Sequence, residues 1–200
     1  MGPTSDVRKV HAGDVRPLAT VLARALDADP IFVALFPDAP RRSRTLARLF
    51  REWIRVLHLP HEASWTTDDL AGGALWSPPG AWKIGVWDEL RMAPRLAGAL
   101  GARAIASLRV LAAVEARHPA GPPHHYLRLL GCDPARQGQG IGSRLLRPML
   151  DACDARREPA FLESSNEQNH PFYRRHGFET IEVIETHLGP RVWLMWRDPR

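Results

Sequence analysis

The sequence predicts an α/β fold in which helices pack on a mixed sheet of parallel and antiparallel strands. Strand-type and helix-type apolar patterns alternate along the chain, in the order β, α, α, β-hairpin, α, α, β, α, β, α, β, β. In the second half, one strand passes through a glycine-rich turn into a helix and then into another strand, as in a parallel β-α-β unit. A single domain over residues 1–200 is expected, because a chain of this length can bury a substantial core.

The first half begins with a short strand and two amphipathic helices. The predicted elements of this half are, in order, a strand at 7–10, helices at 13–30 and 41–60, and a hairpin of strands at 62–67 and 70–79. Asp14 is expected to be the N-cap of the first helix. The second helix carries an apolar stripe that runs from Leu46 to Leu57. Asp68 and Asp69 supply the turn of the hairpin.

The second half opens with a helical insertion over 84–117, which precedes the central strand of the sheet. Alanine, leucine and arginine dominate the insertion, and breaks near Pro94 and Gly98 predict two helices. The elements that follow are a strand at 124–132, a turn and helix at 138–156, a strand at 159–165, a short helix at 169–177 and a closing hairpin of strands at 178–186 and 191–197. Gly177 is expected at the C′ position of the short helix.

Composition excludes several classes of protein. The net charge is +5, but the arginines are scattered among acidic residues without a basic block, so we expect no nucleic-acid partner. No apolar run of 18 residues and no signal-peptide pattern occur, which predicts a cytoplasmic protein without membrane contact. The two cysteines, Cys132 and Cys153, lie in apolar stretches, so we expect free buried thiols and no metal site.

Three glycines, Gly138, Gly140 and Gly142, lie where the central strand turns into the following helix. Glycine permits unusual backbone angles and close approach, and a helix start favours anions, so the loop is predicted to hold a phosphate. A dinucleotide-binding loop needs G-x-G-x-x-G, and Ser143 replaces its last glycine. A Walker P-loop needs a lysine, and this loop has none. A plain connecting turn remains an alternative on the loop alone.

The segment Gln137-x-x-Gly140-x-Gly142 resembles the acyl-CoA signature, Q/R-x-x-G-x-G/A, of the GCN5-related N-acetyltransferase (GNAT) family. The stretch NHPFYRRHGFE at 169–179 resembles the second signature of that family, in the expected order and at the expected separation. Segments at 74–79, 159–165, 169–178 and 189–197 look like puromycin N-acetyltransferase and its relatives. The resemblance covers most of the chain and is strongest from Tyr126 onward.

This resemblance implies that acetyl-CoA is the cosubstrate and that residues 124–200 form the half that binds it, without a metal. The residues implied in cofactor binding are Leu130, Cys132, Gln137, Gly138, Gln139, Gly140, Ile141, Gly142 and Asn169. The loop N–H groups would hold the pyrophosphate, and the strand backbone at Leu130 and Cys132 would pair with the pantetheine arm. Backbone near Leu130 would stabilise the thioester oxygen, and Gly131 permits a bulge there. Cys132 as a nucleophile is the competing idea, but no neighbouring base is evident.

Two side chains are the candidates for proton transfer. Tyr173 is expected to be the general acid that protonates the leaving thiolate, although a structurally satisfied hydroxyl is the alternative. Glu163 is the candidate base, acting directly or through water. Asn166 and Asn169 precede the short helix, and the resemblance favours Asn169 as the pantetheine contact over a helix cap. His124, His125 and Tyr126 are expected to line the acceptor pocket, with aromatic walls from Phe32, Phe36, Trp76, Trp82 and Trp87.

The expected function is therefore the transfer of an acetyl group from acetyl-CoA to a primary amine of a small molecule, for which an aminoacyl-nucleoside antibiotic is the natural first test. Acetylation of a protein N-terminus or lysine is the first alternative. A CoA-binding module that has lost catalysis is the second alternative. The expected assembly is a monomer or a homodimer.

Overall fold

The structure, a computed structural model, describes residues 6–100 and 104–200. The strands in these residues are β1 (Val7–Lys9), β2 (Trp65–Thr67), β3 (Gly72–Ser77), β4 (His125–Cys132), β5 (Ala160–Ser164), β6 (Glu179–Glu185) and β7 (Arg191–Arg197). The α-helices are α1 (Val15–Ala25), α2 (Pro30–Leu35), α3 (Ala39–Trp53), α4 (Val86–Leu100), α5 (Ala104–Glu115), α6 (Ile141–Arg156) and α7 (His170–Arg175). No helix in the described residues is both long enough and apolar enough to cross a membrane.

The seven strands form one mixed sheet in the order β1-β2-β3-β4-β5-β7-β6. The pair β4–β5 is parallel and is connected through α6, whereas the other neighbouring strands run antiparallel. The predicted β-α-β unit and both predicted hairpins are thus confirmed. The mixed α/β fold with a helical segment before the central strand is also as predicted.

The start of the chain departs from the prediction at Asp14. This residue lies at the N-cap position of α1, but its side chain makes no capping hydrogen bond. Its carboxylate instead accepts hydrogen bonds from the Arg8 guanidinium at 2.6 and 2.9 Å and from the His11 backbone N–H at 2.9 Å. The carboxylate is almost fully buried, and this charged partner compensates its desolvation better than one cap would.

Helix α2 was not predicted, because six residues are too few to show a helical period. Its N-cap is Asp29, whose carboxylate accepts a hydrogen bond from the Ile31 N–H at 3.0 Å, and Pro30 follows at the first helical position. The predicted helix at 41–60 corresponds to α3, which continues as one π-helical stretch over Ile54–His58. Helix α2 matters for function because it brings Asp29 to the edge of the cavity described below.

The two helices of the insertion are present, but the predicted break is wrong. Helix α4 runs without interruption through Pro94 and Gly98. One proline removes one backbone hydrogen bond, which the rest of a 15-residue helix tolerates here. Helix α5 begins at Ala104, after residues 101–103, which lie outside the described part of the chain.

Two large apolar cores cover the two faces of the sheet, and a smaller cluster surrounds Phe161. Side chains of α1 and α3 pack with Leu75 and Leu129 on one face. Side chains of α6 and α7 pack with Trp76 and Leu127 on the other face. Strand β4 therefore contributes to both cores, and it is buried along most of its length.

Candidate active site

Strands β4 and β5 part from each other halfway along the sheet. They pair over only three positions, from His125↔Ala160 to Leu127↔Leu162. Beyond this point β4 continues to Cys132 along β3, while β5 continues along β7. Two adjacent strands that diverge leave backbone groups unpaired between them, and an extended amide-rich ligand can pair with such groups.

A β-bulge lies in β4 just where the strands part. Leu75 pairs with Leu129 and Trp76 pairs with Leu127, so Arg128 is an extra residue in β4. The bulge was expected near Leu130, where Gly131 would permit it, and it lies at Arg128 instead. Gly131 is required for packing, because a Cβ there would lie 2.9 Å from the Cβ of Ala25. The bulge places Arg128 and Leu129 on the same face of the sheet.

Arg128 occupies this face with its guanidinium above two aromatic rings. The guanidinium carbon lies 5.7 Å from the Trp53 ring centre and 5.1 Å from that of Tyr126, within the range of cation–π attraction. One terminal nitrogen donates to the carbonyl of Trp82. The buried Nε finds no partner within the described ranges.

A cavity of about 510 Å³ opens between the α2, α3, α4 and α5 helices and the ends of β4 and β5. This volume is typical of a site for a small molecule. Most of the lining is apolar, and its aromatic side chains include Phe32, Phe36, Trp53 and Tyr126. Three carboxylates also line the cavity, namely those of Asp29, Glu89 and Glu163. The cavity thus combines apolar walls with three carboxylates and the Arg128 guanidinium.

Glu163 lies at the end of β5 and reaches the cavity. Its Oε2 accepts a hydrogen bond of 2.6 Å from the hydroxyl of Tyr126, and its side chain is 13% exposed. Burial and the Glu163 charge raise the pKa of Tyr126 well above its ordinary value, so this hydroxyl stays protonated as a donor. The arrangement holds one carboxylate oxygen of Glu163 in place.

Tyr173 lies on α7 and also lines the cavity. Burial, together with the negative charge of Asp29, raises its pKa, which keeps the hydroxyl protonated. The alternative expectation was a hydroxyl held by a backbone group. No hydrogen bond to the Tyr173 hydroxyl occurs within residues 6–100 and 104–200, so the group is available as a donor in the cavity.

The glycine loop has the backbone of an anion-binding turn. Gly138 and Gly140 have φ values of +76° and +72°, and a Cβ on either residue would meet nothing within 4 Å. Gly140 directly precedes α6, whose first N–H groups have no partners within the helix. Gly142 differs from them, because a Cβ there would lie 3.2 Å from the Phe172 ring. Gly142 therefore lets α6 approach α7, while the first two glycines leave open space for a ligand.

The structure disfavours Cys132 as a nucleophile. Burial raises the pKa of its thiol to about 11, and that of Cys153 to about 12, so both remain protonated at neutral pH. Both cysteines are free thiols, as expected. Cys132 lies on β4 beyond the point where β5 departs, and Leu130 lies in the same stretch and lines the cavity.

The two asparagines before α7 have different surroundings. Asn166 accepts a hydrogen bond from the Gln168 N–H at 3.0 Å and thereby caps the short 3₁₀ turn. Asn169 makes no capping hydrogen bond and lines the cavity. Asn169 is thus the one of the two that faces the space between the strands.

Several expectations about the acceptor pocket are wrong. Phe32 and Phe36 line the cavity as expected, but the three tryptophans lie elsewhere. Trp76 is fully buried on the opposite face, and Trp87 is 76% exposed. The ring of Trp82 stacks on His118 with 3.6 Å between ring centres. Exposed or core tryptophans cannot be told from pocket tryptophans by composition, because all three kinds sit among apolar neighbours.

The histidines were also misplaced, since neither His124 nor His125 lines the cavity. His125 binds Glu158 through Nε2 at 2.7 Å, away from the cavity. The cavity residues that were not singled out include the charged or aromatic side chains of Asp29, Trp53, Glu89 and Arg128. The Asp29-Pro30 pair is a recognisable helix start that could have revealed α2. No sequence signal marks the other three as pocket residues.

Within the described ranges, no cluster of three or more histidine, cysteine or acidic side chains could hold a metal ion. Two features of the site suit acetyl-CoA: the glycine loop, and the part of β4 beyond the point where β5 departs. The N–H groups of residues 137–142 suit its pyrophosphate, and the strand backbone suits its pantetheine arm.

Solved structures of other acetyltransferases share this fold. A protein from Corynebacterium glutamicum described as histone acetyltransferase HPA2 and related acetyltransferase has a TM-score of 0.74 at 24% identity, over 99% of this chain and 98% of that chain. The PaiA N-acetyltransferase of Thermoplasma acidophilum, solved in complex with coenzyme A, has a TM-score of 0.59 at 12% identity, over 98% of this chain and 99% of that chain.

Two relatives are similar in sequence. An uncharacterized N-acetyltransferase of Schizosaccharomyces pombe is 28% identical over 208 aligned positions, which cover 96% of this chain and 83% of that protein. The N-alpha-acetyltransferase RimI of Mycobacterium tuberculosis is 39% identical over 83 positions, which cover 38% of this chain and 51% of that protein. The family model described as Acetyltransferase (GNAT) family matches residues 36–178. This match spans more than half of the chain and includes the glycine loop, Glu163 and Tyr173, so the chain belongs to the GNAT family of N-acetyltransferases.

Proposed function

We propose that this acyltransferase transfers the acetyl group of acetyl-CoA to a primary amine of a small molecule bound in the cavity beside β4 and β5. The observation that carries the proposal is the cavity itself, about 510 Å³ in volume and lined by both Glu163 and Tyr173. A small molecule with an apolar or aromatic body fits walls of this kind. The carboxylates of Asp29, Glu89 and Glu163 favour a cationic ammonium group.

The cosubstrate would be held by two parts of this chain. The N–H groups of Gln137, Gly138, Gln139, Gly140, Ile141 and Gly142 would bind the pyrophosphate. The two positive φ angles in this loop turn successive N–H groups to one side, and the dipole of α6 adds favourable charge. The backbone at Leu130 and Cys132 would pair with the pantetheine arm, with Asn169 as a further contact. A backbone N–H near Leu130 would stabilise negative charge on the thioester oxygen.

Two side chains would handle the protons. Glu163 accepts a proton from the acceptor ammonium, directly or through one water, which frees the nitrogen lone pair for attack. Tyr173 donates its hydroxyl hydrogen to the departing thiolate. The raised pKa of Tyr173 ensures that this hydrogen is present throughout the physiological pH range.

Within this proposal, an aromatic aminoacyl nucleoside similar to puromycin is the first acceptor to test, and its acetylation would make the protein an antibiotic-resistance enzyme. The resemblance of the segments at 159–165 and 169–178 supports this choice, and so do the aromatic walls of Phe32, Phe36 and Trp53. In this proposal the enzyme is cytoplasmic, acts as a monomer or homodimer, and binds neither nucleic acid nor a membrane.

Acetylation of a protein N-terminus is the second candidate. The 39% identity to the protein named N-alpha-acetyltransferase RimI favours it, although that similarity covers 38% of this chain. A peptide acceptor needs an open groove, whereas a small molecule needs an enclosed site such as the observed cavity.

The test is the release of free thiol from acetyl-CoA with two panels of acceptors. One panel contains small primary amines, including aromatic aminoacyl nucleosides, and the other contains peptides with free N-termini or lysines. Small-amine acetylation supports the proposal. Turnover with peptides alone would replace it by the second candidate, and thiol release with neither panel would support a CoA-binding module without catalysis.

A further inference from the structure

His118 lies directly behind Glu163 and outside the cavity. The residue follows α5, and its side chain is 1% exposed. Trp82 covers one face of its imidazole at 3.6 Å, and the Phe161 ring meets it edge-on at 4.8 Å between ring centres. Both ring nitrogens nevertheless have polar partners, so the buried imidazole belongs to a hydrogen-bonded chain.

The position of each proton in this set of hydrogen-bonded side chains follows from the partner of each nitrogen. His124 Nδ1 lies 2.8 Å from the carbonyl oxygen of Pro122, which can only accept a hydrogen bond, so His124 carries a proton on Nδ1. Burial lowers the pKa of His124, so the imidazole is neutral at neutral pH. Its other nitrogen, Nε2, is therefore unprotonated and carries a lone pair. That lone pair lies 2.9 Å from Nε2 of His118. His118 must then donate a proton from its Nε2.

This assignment leaves His118 Nδ1 to face Glu163. The distance from Nδ1 to Oε1 of Glu163 is 3.5 Å. The other oxygen of Glu163 already accepts from Tyr126. A neutral His118 presents a lone pair to the carboxylate, and one proton placed between the two converts this repulsion into an attraction. His118 and Glu163 are thus arranged to share one added proton.

We propose that His118 is a positioning residue that makes Glu163 an effective base for the acceptor amine. The hydrogen bonds from Pro122 through His124 fix the tautomer of His118. The Nδ1 lone pair of His118 can then accept a hydrogen bond from each proton that Glu163 takes up. This inference rests on the proposed function, because it requires that the cavity binds the acceptor.

The amine nitrogen forms a bond to the acetyl carbon, and the carbon–sulfur bond of the thioester breaks to release the thiolate. The acceptor arrives as an ammonium and loses two protons as it becomes an amide. Glu163 takes the first from the N–H bond that breaks, and His118 Nδ1 shares it. The thiolate gains one proton from Tyr173, and the tyrosine recovers its own from the second amine proton. One proton in total leaves to solvent when the pair is reset.

Other groups surround the pair in the described residues. Strand β4 contributes the Tyr126 hydroxyl, which donates to Glu163, and the neutral His124 directly precedes this strand. The Arg128 guanidinium of β4 lies 5.1 Å from the Tyr126 ring. Strand β5 contributes the uncharged ring of Phe161, which meets His118 edge-on, and the ring of Trp196 on β7 meets His124.

Nitrogen NMR of the imidazoles tests the arrangement without any substrate. We expect neutral His124 to carry its proton on Nδ1 and neutral His118 to carry its proton on Nε2. The Glu163→Gln variant should shift the Nδ1 resonance of His118 and leave the Nδ1 resonance of His124 unchanged, because Glu163 faces only the first of these nitrogens. A neutral His118 protonated on Nδ1, or an unchanged His118 Nδ1 resonance in Glu163→Gln, would overturn the proposal.

Kinetics test whether the reaction uses the pair. The His118→Gln variant keeps a donor toward His124 but has no second nitrogen for Glu163, and we expect kcat to fall about tenfold or more at neutral pH with the KM for acetyl-CoA unchanged. The loss of kcat in His118→Gln should become smaller at pH values where the acceptor amine is already neutral, because the amine then needs no base to remove its first proton. The matched control is His125→Gln, since His125 is equally buried and pairs with Glu158 outside the cavity.

A purely structural role for His118 predicts a lower melting temperature and an equal loss of kcat at every pH, which would also overturn the proposal. The kinetic experiment uses whichever amine the wild-type enzyme acetylates. If that amine is a peptide, the proposed small-molecule function fails, while the pH dependence of His118→Gln still decides the role of His118.

Discussion

Tyr126 donates a 2.6 Å hydrogen bond to Glu163 across the parallel strands β4 and β5. The two residues are not paired in register, because Tyr126 lies opposite Phe161 and Glu163 lies two positions further along β5. Their contact therefore spans the place where the two strands part. It fixes the candidate base at the entrance to the gap in the sheet, next to the edge of β4 that would hold the cosubstrate.

Replacing Glu163 by Gln should lower kcat about 100-fold at neutral pH, since the amide cannot accept a proton from the ammonium. The melting temperature should change little, because the amide oxygen still accepts from Tyr126. Thiol release and thermal melts measure the two effects. Glu158→Gln is the control, as it alters a comparable glutamate–histidine contact outside the cavity. A Glu163→Gln variant with wild-type kcat would exclude Glu163 as the base.

The Tyr173→Phe variant should lose kcat by about 10²–10⁴-fold and keep its affinity for acetyl-CoA, because the ring still packs while the donor is gone. A structural hydroxyl would instead cost about 1 kcal/mol of stability. An acyl donor with a more acidic thiol should narrow the difference between variant and wild type, since a better leaving group needs less protonation. If the variant and the wild type differ in kcat as much with that donor as with acetyl-CoA, Tyr173 is not the general acid.

Gly140→Val should weaken acetyl-CoA binding far more than it destabilises the fold. The matched control is Gly80→Val, because Gly80 also has a positive φ, +81°, and equally open space around a Cβ. A side chain in this backbone conformation costs about 1–2 kcal/mol at either site. Only at Gly140 would the valine also occupy space needed by the pyrophosphate. Calorimetric titration with CoA and thermal melts separate the two effects, and equal CoA affinity in both variants would reduce the loop to a connector.

Asp154→Asn should destabilise the protein by about 1–3 kcal/mol, since it removes the charged partner of a buried arginine. Arg197 donates to both oxygens of Asp154 at 2.8 and 2.7 Å, and these hydrogen bonds hold the pKa of Asp154 below its ordinary value of 3.8. A depressed folded-state pKa contributes stability that is full above the unfolded pKa and is lost as the pH falls through the folded one.

The stability difference between wild type and Asp154→Asn should therefore be constant near neutral pH and shrink as the pH falls below about 4. Urea unfolding at several pH values measures it. Asp151→Asn, an exposed position on the same helix, serves as the control. A difference that grows toward acid pH would contradict the ion-pair explanation.

The parts of the site that lie close together in sequence were predictable. The glycine loop of residues 137–142 follows a strand and opens a helix, so its backbone chemistry depends on local geometry alone. Tyr173 belongs to a compact motif of the same kind. Both hairpins and the β-α-β unit were predicted for the same reason, because turn residues and apolar periods are local signals.

The acceptor side of the site depends on contacts between distant segments. His118, Tyr126 and Glu163 meet across up to 45 sequence positions, and no local pattern pairs them. The bulge at Arg128 arises from the register between β3 and β4, which is set by packing on both faces of the sheet. Helix α2 is too short to show an apolar period, and its start signal at Asp29 and Pro30 was overlooked.

The sequence by itself determined the order of the elements apart from α2, the family, the glycine loop between β4 and α6, and two candidate proton-transfer residues. The tertiary structure alone decided which side chains surround the cavity and which polar partners Glu163, His118 and His124 have. The physical reason is that backbone conformation is encoded over a few neighbouring residues, whereas a cavity and a buried hydrogen-bond chain exist only after segments far apart in the chain have packed against each other.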